Sequence, residues 1–579
     1  MKREILALKP YLEKIEQLCA PLDRGALTGL ILAMARQVEP EERRFFLGTV
    51  LSQLHGEDEP LAIGLAAENM LVDEIAELRQ EILARISSIE DGSYWDEPEE
   101  EWEDSYYDDE APDLLNNDQK AELADFFNEA GRLFMAGEKN AAREVYGALL
   151  SLVNEAESYG FLPDFQVDLR EARARHARCV FETAAAGERV QDMLAAMDSD
   201  LAANDMGGLV TAEYPLLQDV IDADTGAMDG FDQFLASWQD ALQRQDFQQD
   251  RVADLRLEAA FLQGGVPAVE ELARDWQAQQ QRGYLYWLQK LENGEEWASL
   301  QDACREAFSV LPYGSERREV AACQIRAGKK LQQADVVLEG YRERFKSQPS
   351  EGSLLDLVAE ADRQQVRERE LAEIRSFLAG CQDGGSESVL LVKTLLMAGK
   401  VDEAFAMCEG NKPVGWSVGS ATGLMFATVL HLSCGGHADC GLIPDLLRDY
   451  ADRDSFYIDS FDDSESKADR SGFQEITRGL GLVDPATVDL SRFRQWARNI
   501  GEKRVNHIVS GKQRTAYARA SKVLAALAES LAVIGRKGEA QALLQDYCKV
   551  RYNRHVAFRK EVKRAVGQSA ILRGMAAGL

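Results

Sequence analysis

The chain has 579 residues, of which 45% are hydrophobic and only 14 are proline, and its formal charge is −34. That is enough apolar material for several domains or one long repeat array, and it is not the composition of a disordered chain. The charge opposes general nucleic-acid binding by the body of the chain, and no apolar run reaches the roughly 18–20 residues that a membrane span needs.

Charged residues are scattered through the start, MKREILALKPYLEKIEQLC, so no secretory leader is expected there. The nine cysteines are an odd number, mostly isolated on helical patterns, and they predict reduced thiols in a cytoplasm. Residues 1–88 read as about four helices. Ile5, Leu8, Tyr11, Leu12, Ile15 and Leu18 share a helical face, and Pro40 followed by Glu41 and Glu42 suits a helix start.

Residues 89–117 break that pattern. From 89 to 113 thirteen of 25 residues are acidic and none is Lys or Arg, with Trp95, Trp102, Tyr106 and Tyr107 interleaved. Self-repulsion predicts an extended acidic linker. A sharper alternative is a docking segment for a basic surface.

From 118 to 484 helix pairs recur. LFMAGEKNAAREVY, LLMAGKVDEAFAMC and LAVIGRKGEAQALL share one pattern, the third lying beyond 484. Each has Leu four residues before a glycine (Leu133/Gly137, Leu395/Gly399, Leu531/Gly535) and Ala five residues after it (Ala142, Ala404, Ala540). Larger apolar residues follow three and four positions on. RAGKKLQQADVVL, with Gly328, Ala334, Val337 and Leu338, is a looser fourth copy. The glycine ends one helix in the left-handed region, and the small alanine lets the next helix press against it. This resembles the turn and second helix of tetratricopeptide-type repeats. The resemblance implies an all-α fold, an α-solenoid of degenerate helix–turn–helix repeats.

A second likeness runs through REARARHARCVFETAAAGERVQDMLAAM, RERFKSQPSEGSLLDL and DYCKVRYNRHVAFRKEV. These resemble the helical portion of bacterial SWIM-type zinc-finger proteins. The finger of that family needs a C-x-C, which this chain lacks, so no metal role comes with the likeness.

Residues 415–440 hold the only candidate chemistry. Gly415-Trp416-Ser417-Val418-Gly419 spells a hydrolase elbow, but that elbow needs a strand before the serine, and here a proline-bearing loop precedes it. His431, Cys434, His437 and Cys440 are zinc-ligand types at every third position. Helix spacing could bring the first pair to one ion, and Gly435-Gly436 would have to fold the second pair back. The simpler reading is a packed helix end capped by glycine. No cofactor motif appears, so neither catalytic nor metal residues are assigned.

Two stretches remain as binding candidates. Trp276, Tyr284, Tyr286 and Trp287 cluster in RDWQAQQQRGYLYWLQKL and are candidates to line a groove for a partner protein, with core packing as the alternative. Residues 485–579 form a basic helical cap. From 491 onward there are 19 Lys and Arg against 5 Asp and Glu, a balance of +14, so the first 490 residues hold −48. Tyr517, Ala520, Leu524, Leu527, Leu531 and Ile534 form a buried stripe. Arg551, Arg554, Arg559 and Lys563 are expected to meet an acidic partner or nucleic acid within 491–564, and Arg551, His555, Arg559 and Lys563, four apart, should form one ridge. Tyr552 and Phe558 are candidate stacking residues for bases. The expected function is a non-enzymatic interaction scaffold or adaptor; the alternative is a nucleic-acid-associated regulator acting through the basic end.

Overall fold

A computed structural model describes residues 65–90, 115–158, 167–197, 214–381, 386–410, 416, 420–435, 440–452 and 471–579, with isolated positions between 14 and 34. The described residues hold helices and no strand. The fold is all-α, as the repeat resemblance implies. Of the expected N-terminal helices the last runs past residue 88 to Glu90, and residues 14, 15 and 17–19 are helical positions of an earlier one. The acidic residues 91–114 lie outside the described residues. The expected linker ends before 117, because Leu115 is buried and Asn116 caps the next helix in a reciprocal capping box with Gln119.

The chain divides into two compact units, 1–287 and 288–579. In the first, α1 (Leu65–Glu90), α2 (Asn117–Met135), α3 (Lys139–Ser158) and α4 (Leu169–Thr183) share a core that includes Ile82, Phe134, Tyr146 and Leu149. The far side of α4 joins α5 (Arg189–Met197), α6 (Leu217–Asp222), α7 (Phe231–Gln243) and α8 (Asp250–Trp276) around Phe181, Phe234 and Trp238. Gly265, with φ 64°, and Pro267 kink α8. Helix α9 (Arg282–Asn293) follows.

In the second unit, α10 (Trp297–Val310), α11 (Ser315–Lys330), α12 (Ala334–Ser347), α13 (Glu351–Arg363), α14 (Arg367–Gly380), α15 (Ser386–Met397) and α16 (Val401–Cys408) stack neighbour on neighbour in chain order, as a solenoid does. The order then changes. Helix α17 (Thr422–Cys434) packs on α20 (Leu490–Ser510), and α15 receives α19 (Gly472–Leu480). Helix α21 (Tyr517–Val533) is the hub: α18 (Leu442–Ala451), α20, α22 (Lys537–Gln545) and α23 (Val556–Gln568) all pack against it. Every residue from Val523 to Ser530 is buried. One core runs from Ile325 to Leu572, across the boundary expected at 484/485.

The corner between paired helices recurs with fixed geometry. Gly137, Glu295, Gln332, Gln365, Gly399, Lys512 and Gly535 all have φ between 55° and 83°. At each, the following N–H returns to a carbonyl five residues back, as Glu138 does to Leu133, Gln333 to Gly328, and Lys400 to Leu395. The corner N–H itself reaches three residues back, completing a Schellman motif. The four corners at 295, 332, 365 and 399 are 37, 33 and 34 residues apart. The residue five places after each corner is buried: Ala142, Leu300, Val337, Glu370, Ala404, Tyr517 and Ala540.

The fourth sequence copy is corrected by this register. Gly328 does not turn the chain; it lies inside α11, and the corner is Gln332. A Cβ on Gly328 would come within 2.8 Å of Val337 Cγ2, and one on Gly340 within 2.7 Å of Ile325 Cγ1. Both glycines let α11 and α12 approach closely.

Candidate interaction surface

The basic end is built from a helix that does not run straight. Helix α22 loosens into a π-type turn over Asp546–Arg551, and the chain bends through Tyr552–Arg554 before α23 begins. Tyr547 and Tyr552 hold the bend. Tyr547 is fully buried, and the Tyr552 hydroxyl donates to Asn506 Oδ1 at 3.0 Å. In α23, Phe558, Val562, Ala565 and Val566 face inward, with Phe558 edge-on to Tyr517 at 5.8 Å. This leaves Lys560, Lys563 and Arg564 exposed.

The single basic ridge is therefore corrected. Arg551 ends the π turn, Arg554 sits in the bend, and His555 precedes α23; only Arg559 and Lys563 share a helix face. Arg551 pairs with Asp546 at 2.7 Å and lies over the Tyr547 ring, and Arg564 reaches Glu561 at 3.9 Å. Among the described residues no carboxylate lies within ion-pair distance of Lys549, Arg554, Arg559, Lys560 or Lys563. The same stretch exposes Val550 (69%) and Val556 (66%). Sequence periodicity does not reveal these valines, because both fall in or beside the interruption of the helix.

The expected stacking residues are occupied. Phe558 is fully buried, and the Tyr552 ring lies against Tyr547, His555 and Phe558. Phe558 presents no free face to a base, and Tyr552 is half-buried.

The aromatic cluster is core rather than groove. Trp276 (2% exposed) stacks on Phe247 at 5.4 Å, and Tyr284 and Trp287 are buried beside each other. Tyr286 is half-buried, edge-on to Phe261. Arg256 lies over Trp276 and Arg274 over Trp287, so two cations cover the ring faces. Helical spacing puts these rings on shared faces, and those faces turn inward.

The described part of 415–440 is chiefly one buried helix, α17. Ser417 and His437 lie outside the described residues. Trp416 is buried against Phe426, and α17 is buried on nearly every side. Gly435, with φ 58°, ends it as expected. Burial, with Cys440 nearby, pushes the Cys434 thiol well up. Burial lowers the His431 imidazole. Among the described residues no group of three or more His, Cys, Asp or Glu is arranged to hold a metal ion.

No family model matches this chain, and a search of curated proteins finds no match. Among solved structures, it is similar to a circular tandem repeat protein with novel repeat topology and enhanced subunit contact surfaces, at 12% identity over 88% of this chain and 93% of that one. The TM-score is 0.16, too low for the likeness to bear on fold or function. No described helix is long and apolar enough to cross a membrane.

Proposed function

We propose that this chain is a non-enzymatic interaction scaffold built on tetratricopeptide-like helix pairs, and that the surface at 549–564 docks an acidic protein segment. Corner spacings of 33 to 37 residues and the buried position five after each corner support the repeat reading. The likeness to SWIM-type proteins lends only a helical frame.

The observation that carries the docking reading is the set Lys549, Arg554, Arg559, Lys560 and Lys563, which lack carboxylate partners among the described residues and share a short stretch with exposed Val550 and Val556. Surplus positive charge beside exposed apolar groups suits an acidic, partly apolar peptide better than a phosphate backbone. Burial of Phe558, which removes one of the two candidate stacking rings, weakens the nucleic-acid alternative. A cytoplasmic location fits nine free cysteines, seven of them buried.

The test titrates the intact chain against a labelled acidic peptide and a single-stranded oligonucleotide of equal charge, read by fluorescence anisotropy. Salt-sensitive peptide binding is expected, at least tenfold weaker after K549E/R554E/K560E/K563E. Absence of peptide binding, or tighter binding of the oligonucleotide, contradicts the proposal.

A further inference from the structure

A cavity of about 290 Å³ lies between α20 and α21, away from the surface at 549–564. Its two sides differ in chemistry. Arg494 and Arg498 line it from α20 together with Ser491 and Gln495, and Leu527 and Leu531 from α21 with Ile534 just past its end. Leu430 of α17 and Leu543 of α22 form a buried apolar floor, and Arg536 stands at the edge.

The three arginines are not equivalent. Arg498 is held by Glu502 at 2.9 Å, and Arg536 by Glu539 at 2.6 Å. Glu539 also stands 3.9 Å from Arg498, so two cations share two carboxylates. Arg494 has neither an ion pair nor a hydrogen bond among the described residues, and its Nε is fully buried without an acceptor. A buried donor left without an acceptor costs stability, and a planar carboxylate is the group that a guanidinium holds best.

Charge and shape then define a ligand. One surplus positive charge matches a monoanion rather than a phosphate dianion. The aliphatic wall from Leu527 to Ile534 extends about 10.5 Å, at 1.5 Å per residue over seven residues. It offers a polar head group little beyond the Ser530 hydroxyl, which already donates to the Leu527 carbonyl at 3.2 Å. We propose that this cavity binds a medium-chain aliphatic carboxylate, its head on Arg494 and its tail along Leu527, Leu531 and Ile534.

The test is calorimetric titration of the full chain with octanoate, octyl phosphate, octan-1-ol and octyltrimethylammonium. One saturable octanoate site is expected, with each of the other probes at least tenfold weaker. Hydrogen exchange on adding octanoate should slow at 491–498 and 527–534. Arg494→Gln should weaken octanoate at least tenfold, and Ile534→Trp should do the same by filling the tail space. The proposal is overturned by the absence of saturable octanoate binding, by octanol binding as tightly, or by octyl phosphate binding more tightly. Binding that leaves those two segments unprotected, or a folded Arg494→Gln chain of unchanged affinity, overturns it equally. The four probes and the exchange map on the unaltered chain decide the matter even where a variant does not fold.

Discussion

Arg342 and Glu370 meet in a two-bond fork, Nε to Oε2 and Nη2 to Oε1, each 2.6 Å, with Glu370 completely buried. Glu370 stands five residues after the corner at Gln365, where the other corners bury an alanine, leucine, valine or tyrosine. Its partner belongs to α12, in the preceding helix pair. A charge thus occupies a packing position of the repeat, and the neighbouring pair neutralises it.

Removing one side of this fork leaves the other with only a longer contact, Glu373 at 3.8 Å from Arg342 or Arg369 at 3.4 Å from Glu370. Glu370→Ala is expected to cost about 3 kcal/mol, the low end for a buried pair because Arg342 is partly exposed. Glu370→Leu, which restores the apolar pattern, should cost less, and R342M/E370L should be near neutral. Urea unfolding midpoints of the four chains check this order.

The glycine corners are expected to differ from one another. Gly137→Ala puts a Cβ into open space and costs only the left-handed backbone, about 1 kcal/mol. Gly399→Ala carries that cost and also brings its Cβ within 3.1 Å of the Gly479 carbonyl, so its melting temperature should fall further. Gln332→Gly should be neutral or slightly stabilising, because a side chain at φ 57° is already strained.

Glu529 ties three segments together from inside α21. Its carboxylate accepts backbone N–H from Gly441, Leu442 and Ile443 at 3.0–3.4 Å and the Ser569 hydroxyl at 2.6 Å. It therefore supplies the start of α18 with the acceptor that no local side chain provides. Glu529→Ala should cost at least about 3 kcal/mol by stranding several buried donors, and Ser569→Ala about 1 kcal/mol. Chemical denaturation separates the two.

Half-buried His176 and buried Glu258, both of the first unit, give opposite pH dependences. Burial, with Arg143 nearby, pulls His176 from 6.5 to about 4. Its contribution is present above pH 6.5 and lost as pH falls through 4. Burial pushes Glu258 from 4.5 up to about 7, against the N–H groups of Leu217 and Gln218. Its contribution is present below pH 4.5 and lost as pH rises through 7. Each window is worth at most roughly 3 kcal/mol. Relative to the unaltered chain, His176→Gln should lose the rise of stability between pH 4 and 6.5, and Glu258→Gln the fall between 4.5 and 7. Melting curves at half-unit pH steps resolve both.

The helical class and three corners were legible because glycine at Gly137, Gly399 and Gly535 marks a left-handed turn. Corners at Glu295, Gln332, Gln365 and Lys512 were not, since the Schellman bonds hold ordinary residues in the same backbone state and leave no compositional trace. Gly328 was misread because a glycine that permits close helix packing looks the same in sequence as one that turns the chain. Spacing placed Trp276, Tyr284 and Trp287 on common faces without telling whether those faces turn in or out. The ridge from Arg551 to Lys563 assumed an unbroken helix, and the π turn over Asp546–Arg551 breaks it. Arg494 was visible as one more cation near the C-terminus; its isolation depends on which carboxylates reach Arg498 and Arg536, which only the fold determines.

Docking of an acidic segment on the basic end is tested most directly by hydrogen exchange on the intact chain, with and without an acidic peptide that binds it. Exchange is expected to slow across 549–564, including the exposed Val550 and Val556, with the amides around the buried cluster of Trp276, Tyr284 and Trp287 unchanged. Protection confined to other helices, with 549–564 unaffected, would contradict the assignment.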